Sequence, residues 1–577
     1  MDYLTWSKKL PATPNPDFLA FINSEAPLSQ KLRDKWLYQL AKQSNWHMYT
    51  EHYQDSKDIN LQCYQQFARY QQQENITEAA QKIWLTGESL PAACDKLFTV
   101  LIRENIIPHP LILERVQLAL EKRNISLAKY LIGHAELPTP YEKRTLELIQ
   151  KKPSRIASLS PSKLHSNYYL YGLKRLVLSN PKRAMALWET PKTQNILSTT
   201  QKQDFLSHLA LYQAIRNKAD AYQWFHQIKP TAYTESLIDW QIRFALRHHA
   251  WARVKALIEL SSKKEESAWQ YWLARAEVAL GHQDAGHDIY QALAKKRHYY
   301  GFLASTRLKQ ALAFQGEEAS NPSLILDEYQ PITENIQTLY QNHQHLEASR
   351  MANDFASELP KSKKSAFIAW LARTLHWTGK SVYLSGDKAL SNQLSLRFPL
   401  AHQDSIKHHA KHYDIPEALV YAVIRQESAF RHDVISPVGA HGLMQLMPKT
   451  AQHIARQKHI TYHNKKDLFV PDKNIRLGVA YLNHLAKRFD NNPLLMVAAY
   501  NAGPHQVNRW LKSHPIDAEA IDIWIETLPW GETRNYLKSV MAFYAVYQYR
   551  LNQNASLAVF MQQDIKQKNK GFLTAAQ

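Results

Sequence analysis

Fifteen glycines in 577 residues leave this chain few places to turn sharply, while fifteen tryptophans and thirty tyrosines give it large side chains to pack. That balance disfavours a protein of short strands and tight turns, and it suits helices that carry bulky apolar faces. Residues 30 to about 320 read accordingly, as short amphipathic helices separated by brief polar breaks. In "LRDKWLYQLAKQSNW", Leu32, Trp36, Leu37 and Leu40 fall on one helical stripe. Trp240-x-x-Arg243 recurs 32 residues later as Trp272-x-x-Arg275, each followed by an Ala-Leu pair, and Trp370-x-x-Arg373 repeats the string off-period. A period near 32 to 34 in helical sequence predicts stacked helix pairs, a solenoid whose units bury one another.

The chain is too long for one ordinary core, so several domains are expected. "QGEEASNPS" reads as a polar loop, helical signal resumes from Ile332 to about Thr378, and "GKSVYLSGDKALSNQLSLRFPL" reads as a loop-rich connector. From His402 glycine and proline punctuation concentrates. These shifts divide the chain into residues 1–325, 326–400 and 401–577.

No run of 18 apolar residues predicts a membrane-spanning helix. The first twenty residues lack the apolar core of a secretory signal, which leaves a cytoplasmic protein or a mature form whose signal was removed. Two cysteines, Cys63 and Cys94, are too few to decide the compartment by count, and two buried free thiols remain open. Lys and Arg number 71 against 51 Asp and Glu, a formal net charge of +20. An anionic partner fits: nucleic acid, anionic lipid or a polymer bearing carboxylates. The basic residues form no block of five or more, so the charge reads as a solvated surface rather than a nucleic-acid module.

The segment "YDIPEALVYAVIRQESAF" predicts a helix with Asp414 as N-cap and Pro416 in its first turn. Its stripe runs through Leu419, Val420, Val423, Ile424 and Phe430, and Glu427 lies on the same face. A glutamate there, near the negative end of the helix dipole, has two reasons for a raised pKa: lost hydration and the dipole itself. A carboxylic acid still protonated near neutrality is what a general acid must be. The rival reading is a buried glutamate neutralised by Arg425 or Arg534. Next, "SPVGAHG" uses Gly439 and Gly442 where backbone must turn or approach a ligand. "LMQLMP" sets Gln445 between apolar neighbours, with Pro448 opening a helix through "KTAQHIAR". "NNPLLMVAAYNAGP" predicts an apolar helix ending in Tyr500 and Asn501, closed by Ala502-Gly503-Pro504. Amide, phenol and carboxyl groups beside apolar surface are how proteins hold sugars. "KHHAKH" has histidines that could take up a metal adventitiously, but no acidic or cysteine ligand accompanies them. No metal or cofactor is expected.

Glu427-Ser428, "SPVGAHGLMQLMPKTA" and "AAYNAGP", with "ETLPWGETRNYLKSVMAFYAVY" further on, resemble the catalytic domain of the soluble lytic murein transglycosylases over about 402 to 552. "LRDKWLYQLAKQSNW", "CYQQFARYQQQENITEAAQKIWLTGESLPAACDKLF" and "YWLARAEVALGHQDAGHDIYQALAKKRHYYGFLA" resemble the helical part of the large periplasmic members. The resemblance implies a mainly α fold: an N-terminal α-superhelix of helix pairs, U- or ring-shaped, a helical linker domain, and a lysozyme-like, goose-type-like α+β catalytic domain. It also implies an activity, cleavage of the β-1,4 bond from N-acetylmuramic acid to N-acetylglucosamine in peptidoglycan. Glu427 acts first as acid, then as base toward the muramoyl 6-hydroxyl, leaving a 1,6-anhydro ring. A hydrolytic muramidase and a non-catalytic peptidoglycan-binding scaffold are the alternatives. No second catalytic carboxylate is required, unlike ordinary glycosidases, and Asp433, Asp467 and Asp472 have no motif-level claim.

By the same resemblance Ser436, Gln445, Met447, Tyr500 and Asn501 line the cleft. Glu532, rather than Glu526, contacts sugar or stem peptide, and Tyr536 faces the site. Val434 and Val438 stand where the family commonly has smaller residues. Cys63 and Cys94 fall at the family's disulfide, which implies the periplasm and a removed signal. The implied partners are glycan strands with peptide stems, with room for cell-wall synthesis or secretion proteins. No nucleic acid and no membrane span are implied, and the chain is expected to be a monomer.

Overall fold

The computed structural model describes residues 2–561 apart from 26–27, 135–141, 161–163, 315–325, 388–389 and 518–519, so the loop expected at "QGEEASNPS" lies outside the described residues. The chain forms two compact units, Met1–Tyr233 and Thr234–Gln577. Among the described residues regular structure is helical, with two isolated antiparallel bridges, Ile435–His441 and His441–Leu446, as the whole of the β component. No described helix is long and apolar enough to cross a membrane.

The first unit is a run of short helices in which successive members pack together, such as His109–Glu121 on Ile125–His134 and Ser166–Ser179 on Pro181–Trp188. In the helix Ser29–Lys42 the expected stripe is buried, with Leu32, Trp36, Leu37 and Leu40 fully enclosed. Asn45, Asp58, Asn180 and Ser198 each accept a backbone N–H at a helix start, and Ser198 completes a capping box with Gln201. Scarce glycine shows at the other ends. Ser44, Gln73, Asn105, Arg123, Asn217, His249 and Lys309 follow helices with φ between 50° and 61°, where a glycine would ordinarily sit. Each such residue accepts about 1–2 kcal/mol of steric cost in the left-handed region, offset by the packing of the next helix. Cys63, on the helix Ile59–Gln71, is disulfide-bonded to Cys94 at the end of a short 3-10 turn, closing a span of 31 residues.

In the second unit, helices from Glu235–Arg247 to Tyr299–Arg307 continue the pairwise packing. The Trp-x-x-Arg repeat has a structural meaning here. Arg243 and Arg275 each lie near the ring of their own tryptophan, and each reaches a buried acid on the helix Ile521–Glu526. Arg243 meets Glu526 at 3.2 Å and Arg275 meets Asp522, which also accepts from the Tyr271 hydroxyl at 2.6 Å. Arg373, in the off-period copy, is exposed. Residues 326–397 carry a core around Ile336, Phe355, Phe367 and Leu371. The stretch expected to be a loop-rich connector is partly helical, Thr378–Leu384 and Leu394–Arg397, because Val382, Leu390, Leu394 and Leu396 find apolar burial despite the polar residues between them.

Beyond residue 400 the helix Glu417–Glu427 packs along the long helix Gly531–Arg550, with Tyr421 stacked on Tyr547 at 4.9 Å. Asp414 does not cap its start. It sits at φ 53° as the C-cap of the preceding helix Gln403–Tyr413, and Pro416 takes the N-cap position. A proline there disfavours helical geometry in Ile415, so the helix begins one residue after it.

Candidate active site

Glu427 is the last residue of its helix. Leu419, Val420, Val423 and Ile424 behind it are fully enclosed, whereas Glu427 keeps an accessible edge. Ser428 ends the helix by donating from its N–H and hydroxyl to Ile424 O, at 3.1 and 3.3 Å. Ala429 and Phe430 then both take positive φ, 51° and 66°, a strained pair that drops the Phe430 ring into the core. The carboxyl group is thereby held at the mouth of an otherwise apolar wall.

Neither proposed arginine neutralises it. Arg425 donates to Arg397 O at 2.8 Å and lies over the rings of Phe398 and Phe543. Arg534 donates to Leu528 O at 2.6 Å. The partner that Glu427 has is Tyr536, whose hydroxyl donates to Oε1 at 2.6 Å. Burial pushes the Glu427 carboxyl up to about 7, the Tyr536 hydrogen bond opposes that rise, and the negative charge of Glu532 adds to it. The Tyr500 and Tyr536 phenols are pushed well above their ordinary range, by burial first and then by the Glu427 charge, so both remain donors.

The loop after Glu427 is shaped by its own hydrogen bonds. Ser436 Oγ accepts from Ala440 N at 2.9 Å, and the Gly439 N–H donates to Ser436 O. His441 and Leu446 exchange backbone hydrogen bonds, closing a hairpin-like loop through Met444 and Gln445. Gly442 sits at φ 75° with Leu468 O only 2.1 Å from where a β-carbon would stand, so no larger residue fits. Gln445, at φ 46°, donates its side-chain amide to Gly442 O and Val434 O, at 2.8 and 3.3 Å. Ser436 and Gln445 thus bind the loop's own backbone, and neither hydrogen-bonds Glu427. Met447 is 41% exposed on the loop's end, just before the helix Pro448–Gln457. Val438 is the most exposed of the large apolar side chains, while Val434 is half-buried.

The helix Pro493–Ala502 ends as expected, with Gly503 at φ 82°. Tyr500 donates to Met444 O at 2.8 Å, tying the loop to the Glu427 surroundings. Asn501 accepts from the Thr533 hydroxyl at 2.6 Å and donates to Glu532 Oε1 at 3.3 Å. Glu532 is exposed in the first turn of Gly531–Arg550, four residues before Tyr536. Glu427, Tyr500, Asn501, Glu532 and Tyr536 therefore form one constellation. Glu526 stands apart: it is buried with Arg243 and Lys538 at 3.2 and 2.7 Å, and the Tyr300 hydroxyl donates to it at 2.6 Å.

Two residues of the site escaped the reading of the sequence. Asn474 is fully buried, donates to His441 O and Leu468 O, and accepts from Met444 N at 2.8 Å, so one amide fixes the loop from beneath. Its signal was an asparagine on the apolar face of "PDKNIRLGVAYL". Tyr481, one helical turn beyond Gly478, packs its ring 5.2 Å from that of Tyr500. Among the described residues no three His, Cys, Asp or Glu side chains gather as a metal site; His409 of "KHHAKH" is hydrogen-bonded to Asp472 at 3.0 Å.

A mainly helical chain ending in a lysozyme-like domain, with one high-pKa carboxyl group and two tyrosines around it, fits the class of glycan-cleaving enzymes. The family profile described as "Transglycosylase SLT domain" matches residues 404–523. The soluble lytic murein transglycosylases of Salmonella typhimurium and Escherichia coli K12 are each 29% identical, over 93% of this chain and 84% of theirs. Among solved structures, an inactive glutamate-to-glutamine mutant of the lytic transglycosylase Slt from Pseudomonas aeruginosa is 28% identical with a TM-score of 0.83, covering 96% of this chain and 92% of that one. The Escherichia coli soluble lytic transglycosylase is 25% identical with a TM-score of 0.80 and the same coverage. The chain thus carries a transglycosylase SLT domain within a sequence similar over nearly its whole length to soluble lytic murein transglycosylases.

Proposed function

We propose that this lytic murein transglycosylase cleaves the β-1,4 bond between N-acetylmuramic acid and N-acetylglucosamine without water, leaving 1,6-anhydromuropeptides. The observation that carries the reading is Glu427: a carboxyl group pushed up to about 7, with a tyrosine hydroxyl and no cation as its partner. As the C1–O4 bond breaks, Glu427 gives its proton to the leaving O4. The carboxylate formed then takes the proton of the muramoyl 6-hydroxyl, whose oxygen closes on C1. The acid is regenerated and no water is consumed. A pKa near neutrality suits one group to both steps, and Tyr536 steadies the ionised form between them.

In this reading Tyr500 and Asn501 hold acetamido and ring oxygens, Glu532 meets sugar or stem peptide from the exposed rim, and Met447 offers an apolar contact. Ser436 and Gln445 shape the loop that meets the glycan. Residues 1–325 form the superhelical domain, 326–400 the linker and 401–577 the catalytic domain. The Cys63–Cys94 disulfide supports an oxidising compartment, the periplasm. That a solved relative is an inactive glutamate-to-glutamine mutant supports a single essential glutamate.

Mass spectrometry of products from purified sacculi tests the reading. Anhydro ends from the wild type and none from Glu427→Gln are expected. Reducing ends instead would make the enzyme a hydrolytic muramidase, and no cleavage by the wild type would make it a scaffold.

A further inference from the structure

The Met1–Tyr233 unit contains a pocket with no part in the chemistry at Glu427. It opens between the helices His109–Glu121, Ser166–Ser179 and Thr199–Ile215 and encloses about 110 Å³. That is room for the end of a side chain and too little for a sugar ring. Arg123, Lys174, Arg175 and His208 supply its nitrogens, and Leu120 and Leu170 supply an apolar wall.

The cations are unevenly matched. Lys174 is paired with Asp204, which leaves it little charge to offer. Arg123 and Arg175 form no ion pair among the described residues. Arg175 Nε is shut off from solvent without a hydrogen-bond acceptor, and the guanidinium stands 5.8 Å from the Tyr171 ring. Glu121, the remaining acid on the rim, is exposed and accepts from Gln117. His208 reports the local field: burial first, then Lys174 and Arg123, push its imidazole down to about 4, so it stays neutral and accepts or donates without adding charge.

We propose that this pocket binds a carboxylate of a murein stem peptide, gripped by Arg175 and Arg123, with the neighbouring aliphatic carbons on Leu120 and Leu170. A planar, forked guanidinium matches a carboxylate. The apolar wall beside the charge favours an aliphatic acid over a bare inorganic anion. Naming the stem peptide rests on the cleavage reading above; the carboxylate site itself rests on the pocket alone.

Titration of the full chain with N-acetyl-alanylglutamate, read by calorimetry, tests the assignment, with the corresponding diamide and inorganic phosphate as comparison probes. Saturable binding of the dipeptide and none of the diamide are expected. Arg175→Leu and Arg123→Gln are each expected to weaken binding about tenfold or more, the loss of a charge-assisted hydrogen bond. Arg123 is exposed, so its variant keeps the test alive where Arg175→Leu fails to fold. Unchanged affinity in Arg123→Gln and in folded Arg175→Leu would overturn the proposal, as would phosphate binding as tightly as the dipeptide. Dipeptide binding by a wild type that yields no anhydro ends would uphold the pocket while the cleavage reading falls.

Discussion

The Tyr536 hydroxyl donates a 2.6 Å hydrogen bond to Glu427 Oε1, the one hydrogen bond that this carboxyl group has among the described residues. The two come from different helices, 109 residues apart in the chain, held together by the packing of Glu417–Glu427 on Gly531–Arg550. Burial and Glu532 favour the protonated acid, and the tyrosine favours the carboxylate. The pair is therefore a balance, and each side of it can be removed separately.

Tyr536→Phe removes the stabilisation of the charged form. In the proposed mechanism the first step needs the protonated acid, so wild-type turnover is expected to decline as pH rises through about 7. In the variant the carboxyl pKa rises further and that limb moves to higher pH. The ionised intermediate loses a charge-assisted hydrogen bond, about 1.5–3 kcal/mol, so the maximal rate should fall about 10- to 100-fold. A pH profile of anhydromuropeptide release decides it; a limb that stays in place or moves to lower pH refutes the coupling.

Asn474→Ala strips the catalytic loop of its support. His441 O, Leu468 O and Met444 N lose their partner inside the protein, and each unsatisfied buried group costs about 1–3 kcal/mol. The expected result is a lower melting temperature and reduced turnover, with the pH limb set by Glu427 unmoved. Gly442→Ala should be worse, since its β-carbon would overlap Leu468 O and Asn474 Nδ2 at a φ of 75°. Thermal unfolding and rate measurements on both variants check the order.

Much of this site was legible in local pattern. The stripe leading to Glu427, the helix closing at Tyr500-Asn501 and the proline opening Pro448–Gln457 are each set within a dozen residues, and the structure has them. Asp414 misled because its side chain suits an N-cap while its backbone ends the previous helix in a left-handed turn. Asp522 and Glu526 could not be read at all as partners of the Trp-x-x-Arg repeat. Arg275 and Arg243 lie 247 and 283 residues away in sequence, and no local rule pairs charges over such a distance. Asn474 was readable as an oddity, but its three hydrogen bonds depend on a loop thirty residues earlier.

Glu526→Gln tests that long-range network. Burial alone would raise the Glu526 pKa, but Lys538 and Arg243 outweigh it and hold the group below the usual carboxylate range. The amide would remove the counter-charge of buried Lys538 and leave Arg243 with Asp239 alone, at 3.7 Å, a loss of about 3–5 kcal/mol for a broken buried pair. Because the pKa is depressed on folding, this stabilisation is present above the unfolded pKa and is lost as pH falls through the folded one. The gap in melting temperature between variant and wild type should therefore be full near neutrality and shrink in acid. A constant gap at all pH values would mean that packing, not charge, carries it.

Glu427→Gln should do the reverse at the active site. Folding raises the Glu427 pKa from its ordinary 4.5 to about 7, chiefly through burial. A carboxyl group of that kind destabilises the fold once it must ionise: its contribution is intact below the unfolded pKa and is lost as pH rises from there through about 7. Glutamine is neutral throughout and its side-chain oxygen can still accept from Tyr536. The variant and the wild type are expected to melt together at about pH 4. At about pH 8.5 the variant should melt higher, by about 1–2 °C for each kcal/mol relieved in a unit of this size. Calorimetric scans at the two pH values measure the difference. A variant that melts lower than wild type in alkali would mean that Glu427 is held as a carboxylate by the fold, and the acid step assigned to it would fail.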